Sequence, residues 1–140
     1  MKRTVLFLCT GNSARSQMAE ALVNHLRGEQ WQAVSAGTHP TGYVHPLAIE
    51  ALKEIGIDAS GRRSKSIDEF RGAAFDLVVT VCDNAAEECP LWLGPGTRVH
   101  IGFPDPARGT VEDFRSVRDD IRRKVIEFLD AFGREDVSSS

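Results

Sequence analysis

The chain has 140 residues, with 17 basic against 20 acidic side chains and a formal charge of −3, which suits one packed domain and offers no broad basic field to nucleic acid or to an anionic membrane. Its 3 cysteines make an odd count in a chain able to build a core, a usage that fits reduced, reactive thiols better than a secreted disulfide framework. The apolar runs TVLFLC and LVVTVC are far shorter than the roughly 20 residues of a membrane span, and MKRTVLFLCTGNS shows no signal-peptide cleavage pattern, so a cytoplasmic protein is expected.

Thr4 to Leu8 is an unbroken apolar run with β-branched Val5 and aromatic Phe7, the pattern of a strand buried on both faces. From Ser13 the spacing of Met18, Ala19, Leu22, Val23 and Leu26 predicts a helix that lasts until Gly28. QAVSAG, residues 32–37, reads as a second strand, followed by the loop THPTGYVHP and a helix carrying Leu47, Ala51, Leu52 and Ile55 that Gly56 stops. FDLVVTVC, residues 75–82, reads as a third strand, and TRVHI, after the turn LGPG, as a fourth. Val117, Ile121, Val125, Phe128, Leu129 and Phe132 mark a last helix that Gly133 is expected to end, leaving a frayed polar tail over 134–140 and one domain over 1–133.

Strands alternating with helices predict an α/β domain: a four-stranded parallel sheet with right-handed crossovers and helices on both faces. Such sheets gather their sites at the carboxyl ends of the strands. Cys9, Gly37, Cys82 and Asp105 all lie at or just beyond those ends, so parallel topology alone brings them towards one another.

Thr10, Gly11, Asn12, Ser13 and Ala14 connect Cys9 to the first helix, and small, turn-compatible residues can wrap a loop whose amides face inward. The loop runs into a helix N-terminus, which adds its own N–H groups and partial positive charge. Arg15 supplies a planar fork of donors matched to a tetrahedral oxyanion, and Ser16 can donate to the neighbouring sulfur. Residues 10–16 are thus the expected oxyanion cradle, and Cys9 a thiolate nucleophile whose pKa the helix terminus and the arginine lower. The loop is not a nucleotide P-loop, since CTGNSARS lacks the glycine and lysine of G-x-x-x-x-G-K-[ST]. With no C-x-x-C pair and with His25, His39, His45 and His100 scattered, no metal site and no cofactor are expected.

CTGNSARS resembles the C-x5-R-S loop of low-molecular-weight protein tyrosine phosphatases and of the arsenate reductases built on the same fold. VTVCDNAAEECP, residues 79–90, is similar to the arsenate-reductase branch, and SAGTHP and GFPDPA fall in matching places. The resemblance implies that Cys9 attacks arsenate held by the loop and Arg15, and that Asp105 protonates the departing oxygen. Cys82 then attacks Cys9, and Cys89 resolves the product into a Cys82–Cys89 disulfide that thioredoxin reduces. Phosphate and sulfate are the expected analogues, and a monomer is expected. If residues 82–89 coil into a helix, the two thiols lie roughly 10 Å apart along its axis, beyond the about 7 Å a disulfide tolerates, so oxidation would have to unwind it.

Two departures from the family pattern stand out. Ala14 occupies a position where some relatives carry a further cysteine, which a three-thiol relay does not need. Relatives that bind potassium do so with residues matching Asn12, Glu20 and Ser35, plus a threonine and an aspartate; this chain has Arg63 and Lys65 there. Lys65 is expected to replace the ion. Two other readings remain open: a phosphatase working through phospho-Cys9, and a non-catalytic oxyanion or metalloid sensor. Cys82 and Cys89 disfavour the first, as does the absence of a tyrosine after the Asp-Pro pair, Tyr43 being the only tyrosine. The second lacks any DNA-binding element.

Overall fold

Strand β1 (Arg3–Cys9) is the apolar run the sequence singles out, and its consecutive residues Val5, Leu6, Phe7 and Leu8 are all fully buried. Since neighbours along a strand point to opposite faces, the sheet is covered on both sides. Burial of each such side chain contributes roughly 1.5–3 kcal/mol. The computed structural model describes residues 2–82 and 97–139, with side chains described to residue 132. β2 (Trp31–Gly37), β3 (Leu77–Thr80) and β4 (Thr97–His100) complete a sheet of order β2-β1-β3-β4. All three pairings are parallel, with Cys9 in register with Gly37 and Leu8 with Thr80. The expected single α/β domain with a four-stranded parallel sheet is the one found. β3 is shorter than the predicted 75–82, but Val81 N donates to Leu8 O and Phe103 N to Val81 O, so pairing runs on to Val81.

Helix α1 (Arg15–Leu26) buries Met18, Ala19, Leu22 and Val23 of the predicted stripe, whereas Leu26 in its last turn is exposed. Helix α2 (Pro46–Lys53) opens with proline in its first turn and is capped by His45, whose Nδ1 accepts from Leu47 N at 3.1 Å. It ends before Ile55, in a turn that Gly56 completes at φ +85°. A 3-10 turn over Ile67–Phe70, capped by Ser66, had no signal in the apolar spacing. Helix α3 (Val111–Ser139) buries Val117, Ile121, Val125 and Leu129. Gly133 was expected to end it, yet the backbone stays helical to Ser139. A glycine costs a helix about 1 kcal/mol relative to alanine, and no proline follows to force a stop. Arg27 pairs in a fork with Asp130 at 2.9 Å, fixing α1 to α3, and Arg118 Nη1 donates to Ala51 O at 2.7 Å, fixing α2 to α3. Cys89 and the expected coil between it and Cys82 lie outside the described residues.

Candidate active site

Every carbonyl from Cys9 to Ala14 is committed. Thr38, His39, Thr41 and His45 donate their amides to the carbonyls of Cys9, Thr10, Gly11 and Ser13 at 2.9–3.0 Å. Gln17 Nε2 takes Asn12 O, Met18 N takes Ala14 O, and Ser64 Oγ adds a second donor to Gly11 O. With its carbonyls tied back to the 38–45 segment, the loop presents N–H groups on its other side. Helix α1 starts from Ala14 with no side-chain cap, which leaves its first amides to the same concavity. Residues 10–14 of the expected oxyanion cradle thus have their carbonyls engaged, which leaves the inner side of the loop to N–H groups.

Cys9 lies beneath it, 2 % exposed. Asn12 N donates to its Sγ at 3.1 Å, and Ser16 Oγ lies 2.8 Å from the same sulfur. These contacts lower the thiol's pKa, but burial outweighs them and pushes it above its ordinary value, with the neighbouring Cys82 acting in the same direction. The expectation of a depressed Cys9 pKa is therefore corrected: a buried thiol meets a desolvation cost that the loop sequence does not display.

Arg15 Nη1 donates to Phe103 O at 3.1 Å, and Nη2 lies 3.8 Å from Asp105 Oδ2. The arginine side chain is 14 % exposed and Asp105 57 % exposed, which places the carboxylate at the mouth of the site. Asp105 also accepts from Ala107 N at 3.0 Å, a local turn that steadies it. Cys82 is buried, with its Sγ 3.3 Å from Thr10 Oγ1. The parallel sheet has thus brought together a loop residue and a thiol 72 positions apart, as strand-end convergence predicts. Cys9 and Cys82 are both free thiols.

Beneath the loop, Glu20 is 6 % exposed. It accepts from Ser35 Oγ at 3.1 Å, pairs with Arg62, and lies 3.6 Å from Lys65 Nζ. Lys65 sits where expected, and burial, Arg63 and Arg62 all pull its pKa down. Arg63 does not join it: that guanidinium pairs with Glu69 at 2.6 Å, and Arg62 takes the place beside Glu20.

Sequence reasoning missed the role of the 38–45 segment, although Gly37 carried a signal, since glycine at a strand end often marks close backbone approach. A Cβ at Gly37 would lie 2.5 Å from Thr10 O and 3.1 Å from Asn12 N. Gly37→Ala should therefore push the loop away. Its affinity for inorganic phosphate, measured by calorimetry, should drop about tenfold, equivalent to ~1.4 kcal/mol, together with a lower melting temperature.

Residues 4–138 match the family described as low molecular weight phosphotyrosine protein phosphatase. Arsenate reductase 2 of Staphylococcus saprophyticus is 46 % identical over 129 residues, covering 92 % of this chain and 98 % of that one. The arsenate reductase of Halalkalibacterium halodurans is also 46 % identical, over 135 residues, with 92 % and 96 % covered. Among solved structures, an arsenate reductase in the phosphate binding state superposes with a TM-score of 0.83 at 32 % identity, covering 92 % of this chain and 98 % of that one.

Proposed function

The chain belongs to the low molecular weight phosphotyrosine protein phosphatase family, and we propose that within it the protein is an arsenate reductase, turning arsenate into arsenite through a relay of Cys9, Cys82 and Cys89. The observation that carries this reading is the second thiol: Cys82 is held against the oxyanion loop through Thr10 at 3.3 Å, where ester hydrolysis through Cys9 has no use for it.

The balance of the reaction suits the site. Hydrogen arsenate, bound by the loop amides and Arg15, is attacked by Cys9 sulfur. The thiol's proton and an arsenate oxygen depart as water, and Asp105 passes the proton to that oxygen. The S–As bond of the adduct is cleaved by Cys82: the two sulfurs join as a disulfide, and the electron pair of the broken bond stays on arsenic, which leaves as arsenite. Cys89 then attacks Cys82, returning Cys9 as a thiol and carrying the oxidation outward as a Cys82–Cys89 disulfide. A dithiol protein of the thioredoxin type is the reductant suited to that product, in a cytoplasmic setting.

The test is arsenate-dependent NADPH oxidation with thioredoxin and thioredoxin reductase. Turnover is expected, and its absence with both this couple and glutathione with glutaredoxin would overturn the reading. Turnover with the second couple alone would replace the reductant.

Glu20, which could hold a monovalent cation in this fold, is matched by Arg62 and Lys65 from its own chain. Activity and melting temperature should therefore be the same in potassium as in sodium at equal ionic strength. A rise specific to potassium would show that the ion still finds a place.

A further inference from the structure

Gln17 lies in the first turn of α1 and is fully buried, and its hydrogen bonds go to Asn12 and Arg63, not to the Cys9 sulfur. Its Nε2 faces three acceptors: Asn12 Oδ1 at 2.9 Å, Asn12 O at 3.3 Å and Arg63 O at 2.8 Å. Its Oε1 is buried with no partner among the described residues. Turning the amide over would set that oxygen against three acceptors, so the nitrogen side alone fixes its orientation. Three acceptors gathered around one buried amide nitrogen ask for an explanation.

Asn12 supplies one. Its φ is +49°, the only positive value at a non-glycine among the described residues, in the left-handed region that asparagine tolerates better than most side chains. In that conformation Asn12 N points at Cys9 Sγ, and Asn12 Nδ2 donates to Ser16 Oγ at 2.8 Å, the same hydroxyl that lies 2.8 Å from Cys9 Sγ. Asn12 thus reaches the nucleophile twice, once directly and once through Ser16. Both require its two oxygens to stay turned away, and those are the two oxygens Gln17 holds. Lys65 N adds a second donor to Asn12 Oδ1 at 2.8 Å, but the main-chain oxygen of Asn12 is met by Gln17 alone among the contacts of the described residues.

We propose that Gln17 is a positioning residue of the active site, clamping both oxygens of Asn12 so that its amide and, through Ser16, its side chain are aimed at the Cys9 sulfur. The proposal rests on Cys9 being the nucleophile of the reading above, and it deepens that reading by naming what sets the nucleophile's surroundings.

The test uses a Cys82→Ser/Cys89→Ser protein, in which Cys9 is the thiol that iodoacetamide labels, with and without Gln17→Met. Loss of the clamp should raise the midpoint of the alkylation pH profile by about one unit, equivalent to roughly tenfold slower labelling at pH 7, and weaken inorganic phosphate binding by about as much. Val23→Ala, which opens a cavity further along the same helix, should lower the melting temperature and leave that midpoint unchanged. A folded Gln17→Met protein with the parent midpoint and phosphate affinity overturns the proposal, as does an equal shift in Val23→Ala. Should Gln17→Met not fold, the parent protein still decides: Gln17 side-chain amide protons that exchange as fast as those of an exposed glutamine overturn it. Labelling reports on Cys9 whether or not arsenate is reduced, so failure of the reductase assay and failure of this test are separate results.

Discussion

Arg15→Lys should lower kcat/KM for arsenate by about 10²–10³, the scale of losing one fixed donor to a developing oxyanion. The guanidinium is anchored through Nη1, which donates to Phe103 O at 3.1 Å, while Nη2 lies 3.8 Å from Asp105 Oδ2. A planar guanidinium with one edge so engaged still has further N–H donors to offer an oxyanion. A lysine ammonium keeps the charge but cannot hold that anchor and present a flat pair of donors to two oxygens. The loss should therefore appear in both kcat and KM, and inorganic phosphate should become a weaker inhibitor. Reduction of a preformed Cys82–Cys89 disulfide by thioredoxin should proceed at the parent rate, because Arg15 takes no part in that exchange. An Arg15→Lys enzyme within a factor of about three of the parent, a change below ~1 kcal/mol, would mean that the loop amides alone carry the oxyanion.

The parts of this site that local sequence reveals are those built from consecutive residues. Cys9, the small-residue loop and Arg15 occupy one turn between a strand and a helix, and both the apolar run Val5–Leu8 and the stripe Met18–Val23 are legible in their spacing. The approach of Cys82 to Thr10 needed only the inference of parallel strands, since equal registers carry both to the same edge. What was illegible depends on contacts between distant segments. Gln17 reaches Arg63 across 46 positions, and Lys65 reaches Asn12 across 53, and no periodicity encodes such pairs. The direction of the Cys9 pKa failed for the same reason: the loop motif announces donors, whereas the desolvation that outweighs them comes from everything packed around the thiol. Arg62 and Arg63 are adjacent arginines in one basic run, and only the path of the backbone decides that the first meets Glu20 and the second Glu69.

Cys89→Ser should convert a steady turnover into a single event. In the proposed relay Cys9 forms the arsenic adduct and Cys82 cleaves it, so one equivalent of arsenite should appear per protein and the reaction should then stop. The stalled product is a Cys9–Cys82 disulfide, identifiable after alkylation as a cross-linked pair of peptides from β1 and the end of β3. That bond joins two side chains that are 2 % and 6 % exposed, and thiol–disulfide exchange requires the attacking thiolate to approach along the S–S axis. An external dithiol should thus reduce it slowly, which is the physical case for a third, internal thiol. Cys82→Ser should stop one step earlier, with the adduct formed and no arsenite released, and Cys9→Ser should form neither. The three variants therefore differ in kind rather than degree, and rapid-quench measurement of arsenite with mass analysis of the alkylated peptides separates them. Steady turnover by Cys89→Ser at the parent rate with thioredoxin would show that the reductant reaches the Cys9–Cys82 bond directly, and the relay would shorten to two thiols.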